Sequence, residues 1–123
     1  MWKIVIVVGA TLLCTAPGNA ENYPLGGKWA YDTSSGTGPI DCKNHSTIEF
    51  SGNRRFETGG KAPPDYRNVS VEHETDNSYR IVDRFFNGMQ DGKVAYTLRR
   101  VDPDRIEIHH QMGGETDILR ACK

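Results

Sequence analysis

What most constrains this chain is a period of two that keeps restarting. After residue 26, apolar and polar residues alternate in short runs, and each run ends in turn chemistry. Trp29 and Tyr31 share one phase in 27–33. Ile48 and Phe50 do so in 46–51, and a tight turn at Ser51-Gly52-Asn53 leads into 54–58. Residues 67–74 put Val69, Val71 and His73 in phase. The most apolar run, 79–86, carries Tyr79, Ile81 and Phe85 in phase, with Asp83 among them. Asn87-Gly88 and Asp91-Gly92 bracket a turn into 93–100, where Val94, Tyr96 and Leu98 alternate. Ile106 and Ile108 alternate with charges in 105–109, and a last run covers 116–121. The glycine- and proline-rich stretch 59–65 reads as a loop, because proline cannot donate to a sheet ladder. No segment holds a helical 3.6 period.

Successive side chains of a strand point to opposite faces, so each run has one face to bury. Eight such runs, spaced about ten residues apart, read as an all-β domain. They close most simply as an eight-stranded antiparallel up-and-down barrel, which leaves no open edge. A β-sandwich is the alternative.

The first twenty residues have a different character. Lys3 precedes an apolar run from Ile4 to Cys14 that falls short of the about 20 residues a membrane-spanning helix needs. Small residues follow, ending in Ala20. This is the secretory pattern, so 1–20 is expected to be a signal peptide and 21–123 a single barrel domain in the periplasm or outside the cell. Of three cysteines, Cys14 would leave with the leader, and Cys42 and Cys122 would pair in the oxidising space. No apolar stretch after Ala20 could span a membrane.

The chain carries 15 Lys and Arg, Lys3 among them, against 16 Asp and Glu. Such a balance excludes binding to nucleic acid through a basic surface. Arg54-Arg55 and Arg99-Arg100 sit among acids and read as solvated strand faces. The four histidines offer no metal site. His109 and His110 are adjacent on a strand and point apart, and His45 and His73 stand alone. No spacing points to a cofactor, and no nucleophile has a paired base, so no catalytic residue is assigned. Asn68-Val69-Ser70 matches a glycosylation acceptor pattern and reads as a chance match within a strand. Asp83 is the most informative polar residue. If its phase points inward, the carboxylate is buried and needs a partner, for which Arg120 is the candidate; a place at the barrel mouth, hydrogen-bonded to water, is the preferred reading.

Gly27-Lys28-Trp29 opens the first strand. A Gly-x-Trp there, in an eight-stranded exported barrel, resembles the calycin superfamily, the lipocalins and their small relatives. The resemblance implies that Gly27 and Trp29 close one barrel end and that Arg120, on the final strand, packs across the indole. The small size is similar to that of periplasmic barrels that inhibit secreted metalloproteases. In those, a free N-terminal segment enters the protease cleft; here it would be 21–25, including Tyr23, Pro24 and Leu25.

The expected function is that of an exported, non-enzymatic, monomeric binding protein. It would take a small apolar ligand or a protein partner, with Tyr23, Pro24, Leu25, Tyr79, Asp83 and Tyr96 as candidate contact residues. Inhibition of a secreted hydrolase and a structural or stress role in the envelope are the alternatives.

Overall fold

The structure, a computed structural model, describes residues 22–32, 34, 36–59, 65–86 and 88–123. The expected leader at 1–20 and most of the glycine- and proline-rich loop lie outside the described residues. Eight antiparallel strands follow one another around a closed barrel: β1 (Gly27–Tyr31), β2 (Thr47–Ser51), β3 (Arg54–Thr58), β4 (Asp65–Thr75), β5 (Ser78–Phe86), β6 (Asp91–Asp102), β7 (Arg105–His110) and β8 (Thr116–Ala121). Each pairs with its sequence neighbours, and β8 returns to β1, so the barrel forms and the sandwich does not.

The alternation accounts for the inward faces. Trp29, Ile48, Phe50, Ile81, Leu98, Ile106, Ile108 and Leu119 are buried in one core cluster. The turn after β2 depends on Gly52 at a φ of 63°, the left-handed region that glycine enters without penalty. Two strands run longer than expected. Asp65 belongs to β4 rather than to the preceding loop, and Asp91-Gly92 belongs to β6 rather than to a turn. Gly92 lies opposite Phe85, and a Cβ there would come within 2.6 Å of the Phe85 ring. The ring occupies the space a side chain would need, which lets a glycine stay within a strand.

β4 departs from simple alternation. A register shift against β5 falls between Asn68 and Ser70. Before this bulge Tyr66 and Asn68 are buried; after it Val71 packs on the core. An extra residue in one strand reverses which parity faces inward. The expected set of Val69, Val71 and His73 is therefore corrected at Val69, the extra residue of the bulge; Val71 and His73 keep one face, where His73, exposed toward the strand end, stacks on Tyr79 with ring centroids 4.7 Å apart.

One end of the barrel is closed. The chain before β1 crosses it, with the Tyr23 N–H donating to the Gly52 carbonyl at 2.9 Å. Tyr23 enters the interior and meets the Phe50 ring edge-on, centroids 4.8 Å apart. The Trp29 indole N–H donates to the Gly26 carbonyl at 3.1 Å, and Leu25 packs on the same cluster.

Outside the barrel, the segment before β2 straps the seam between β1 and β8. Arg120 pairs with Ala30, on the face opposite to Trp29, which pairs with Ala121. Its guanidinium donates to the carbonyls of Thr37 (2.7 Å) and Gly38 (2.8 Å) and to Asp32 Oδ2 (3.3 Å). The expected stacking of Arg120 on Trp29 is thus corrected by strand parity: neighbours of opposite phase cannot meet across a sheet. Cys42, in a short 3-10 turn (Cys42–Asn44), is disulfide-bonded to Cys122, 80 residues away. Chain-entropy reasoning gives such a link about 4–5 kcal/mol.

Candidate functional site

A hairpin carries the site. The two-residue turn at Gly52-Asn53 pairs Ser51 with Arg54, Phe50 with Arg55 and Ile48 with Glu57. Directly paired residues share a face. Because Ile48 and Phe50 point into the barrel, Arg55 and Glu57 do too, and Phe56 turns outward, where the Arg54 guanidinium lies 5.2 Å from its ring centre. β3 is therefore inverted, with charges inside and an aromatic outside. The reading of Arg54-Arg55 as a solvated pair holds for Arg54 alone: Arg55 is 5% exposed.

Arg55 needs partners at that depth, and the barrel supplies them. Its Nε donates to Asp83 Oδ2 at 2.9 Å, and its Nη1 is paired with Glu57 Oε2. The guanidinium lies 3.8 Å from the Tyr66 ring centre and 5.2 Å from that of Tyr96. Asp83, on β5, is 0% exposed. Each of its oxygens takes two donors. Oδ1 accepts from the Tyr23 hydroxyl (2.8 Å) and Asn68 Nδ2 (3.2 Å); Oδ2 accepts from Arg55 and the Tyr96 hydroxyl (2.6 Å). Asp83 faces inward and is buried, so the preferred reading is overturned and the paired, buried one holds. Its expected partner Arg120 is replaced by Arg55, and the water-exposed mouth position is excluded by its complete burial. Asn68, read from its motif as a chance match, is a buried member of this cluster.

The hydroxyls respond to this environment. Burial first, then the nearby Asp83 charge, pushes the Tyr23 hydroxyl well above the usual tyrosine range. Burial likewise raises Tyr96, with Arg55 opposing and Asp83 adding. Tyr31 is raised by burial and by Glu57, whose Oε1 accepts its hydroxyl at 3.3 Å. Burial pulls the Arg55 guanidinium down, but Tyr96, Asp83 and Glu57 outweigh it and hold the cation in place.

Above this cluster the barrel opens at the end opposite Tyr23. A cavity of about 240 Å³ is walled by Tyr31, Arg55, Glu57, Tyr66, Tyr96 and His110, with Ile48, Val94 and Ile108 as its apolar side. His110 Nε2 lies 2.7 Å from Asp117 Oδ2. His109, on the other face, contacts Thr116 Oγ1 at 2.8 Å, so the two histidines do point apart. Exposed Phe86, Met89 and Met112 belong to the strand ends and turns around the same mouth.

The six candidate contact residues therefore separate. Tyr96 lines the cavity, and Asp83 and Tyr23 support its floor through Arg55. Tyr79 packs near the closed end, and Pro24 and Leu25 cross that end. The described part of the segment expected to be free for a protease cleft, 22–25, is anchored at Tyr23, which is 6% exposed and bonded to Asp83. Arg55, Glu57, Tyr31, Tyr66 and His110 were not singled out from composition. The signal that finds the first two is the hairpin register set by the Gly52-Asn53 turn.

Among the described residues, no helix is long and apolar enough to cross a membrane. Comparison with protein-family models, with curated proteins and with solved structures found no match.

Proposed function

We propose that this chain is an exported, non-enzymatic binding protein of calycin type that holds one compact ligand in the mouth of its barrel. One observation carries the reading: the interior is packed with side chains in one half and opens in the other into a walled cavity of about 240 Å³. Small barrels either fill their interiors or leave room for one small ligand, and this barrel does both along its length. The volume lies below the roughly 300 Å³ at which drug-sized pockets begin, so the ligand is small. Apolar Ile48, Val94 and Ile108 beside polar Arg55 and Glu57 favour a molecule with an apolar body and a polar group. The Cys42–Cys122 bond fits a periplasmic or secreted protein.

Native mass spectrometry of the protein isolated from its source cell tests this. The expected result is a retained small molecule, lost when Val94→Trp fills the cavity. A protein that carries no such adduct, and whose mouth resonances stay still on titration with a small-metabolite extract, would refute it. A second reading, docking of a protein partner, draws on exposed Phe86, Met89 and Met112 around the mouth. Capture of a stoichiometric partner that Met112→Glu abolishes is its expected signature.

A further inference from the structure

We propose that the mouth cavity selects a small organic cation, a compact amine whose ammonium group meets Glu57 while its apolar part lies against the tyrosine rings. This deepens the ligand-binding reading above and rests on it.

The inward-facing formal charges set the selection. Arg55 is the fixed cation of the cup, and two carboxylates already hold it, Asp83 through Nε at 2.9 Å and Glu57 through Nη1. That leaves an excess of one negative charge. The His110–Asp117 pair, 2.7 Å apart at the rim, adds nothing when the imidazole is protonated and a further negative charge when it is neutral. An anionic ligand, even one that met the Arg55 N–H groups neither carboxylate takes, would enter a site that is already negative. A cation enters one with an uncompensated carboxylate.

Glu57 has capacity to spare. An ionised carboxylate offers about four acceptor positions. Tyr31 occupies one on Oε1 and Arg55 one on Oε2. The Glu57 side chain is 13% exposed, and that exposure faces the cavity it lines. A ligand that fills the cup strips the remaining water from this carboxylate. A neutral or apolar ligand leaves that desolvation unrepaid, whereas an ammonium replaces the water with charge-assisted hydrogen bonds. Tyrosine faces add attraction for a cation near their rings, and Tyr31, Tyr66 and Tyr96 all line the space. The surrounding hydroxyls hold their protons through burial, so none becomes a competing phenolate at neutral pH.

The test uses one scaffold with three charges. Benzylamine, benzyl alcohol and benzoate are titrated into the full exported protein and followed by NMR at the Tyr31, Tyr66 and Tyr96 ring resonances. Benzylamine is expected to bind about tenfold or more tightly than either of the others, the range of a hydrogen bond to a charged group. Glu57→Gln is expected to erase that preference, and Val94→Trp to abolish binding of all three while leaving Glu57 intact. If Glu57→Gln does not fold, the ranking on the unaltered protein decides the charge and Val94→Trp decides the place. Equal binding of benzyl alcohol, or preference for benzoate, overturns the cation inference and leaves the binding reading standing. If none of the three binds while native mass spectrometry still finds an adduct, the amine assignment alone falls; if neither experiment finds a ligand, both fall.

Discussion

Asp83→Asn is the sharpest perturbation of this barrel. It removes the buried charge that four donors converge on, and changes the side-chain volume very little. In the native protein the carboxylate is completely buried and its four bonds span 2.6 to 3.2 Å. The asparagine amide keeps one acceptor oxygen, but its NH2 group faces donors, either Tyr23 and Asn68 or Arg55 and Tyr96. Breaking a buried ion pair by removing one partner costs about 3–5 kcal/mol. Arg55 keeps Glu57, which argues for the lower end, about 3 kcal/mol. For a domain of this size that is a fall in Tm of roughly 10–20 °C. Urea unfolding at neutral pH, followed by tryptophan fluorescence and by circular dichroism, measures it. Tyr23→Phe removes a single donor and is expected to cost about 1–2 kcal/mol. The double variant should fall short of the sum, since both act on one carboxylate. Arg55→Met should cost at least as much as Asp83→Asn, because it strips both Asp83 and Glu57 of their shared cation. A loss below about 1 kcal/mol for Asp83→Asn would refute the claim that Asp83 organises the interior.

Alkaline pH should destabilise the fold in a defined window. Burial raises the Tyr23 and Tyr96 hydroxyls above the ordinary 10.0, so above that pH the unfolded chain releases protons that the folded one keeps. Stability is therefore full below about pH 10 and falls as pH rises, by about 1.4 kcal/mol per unit for each of the two. A urea midpoint that stays flat across this window would contradict it, and Tyr23→Phe should make the slope shallower. Replacing Cys42 and Cys122 together by alanine removes a closure spanning 80 residues and is expected to cost about 4–5 kcal/mol, read as a lower urea midpoint. An unchanged midpoint would show that the Arg120 strap holds the seam by itself.

Much of the barrel was legible because each strand must bury one face. Trp29 and Tyr31, Ile48 and Phe50, and Ile106 and Ile108 announce their parity in the sequence, and closure follows from eight such strands with short links. β4 resisted because a bulge between Asn68 and Ser70 changes parity midway, and no residue type there marks it. Within the site, Asp83 and Tyr96 were legible from phase. Arg55 and Glu57 were hidden by composition, since two arginines among acids resemble a wet surface. The hairpin arithmetic contains the answer, because a two-residue turn obliges the partner of inward Phe50 to point inward as well. Arg120 illustrates the opposite limit. Its parity against Trp29 depends on how β8 meets β1, a pairing across the whole chain that local patterns do not encode.

The seam between β1 and β8 consists of three residue pairs. Strap, disulfide and ladder all converge there, and every one of them needs β8 or Cys122. The ring is thus fastened by its last link. A chain emerging from its first residue onward holds an open, curling sheet with two unpaired edges, β1 and β7, until β8 arrives and pairs with both, and only then does the cup acquire a complete wall. Arrival of β8 and completion of the cavity wall are, for this architecture, a single event.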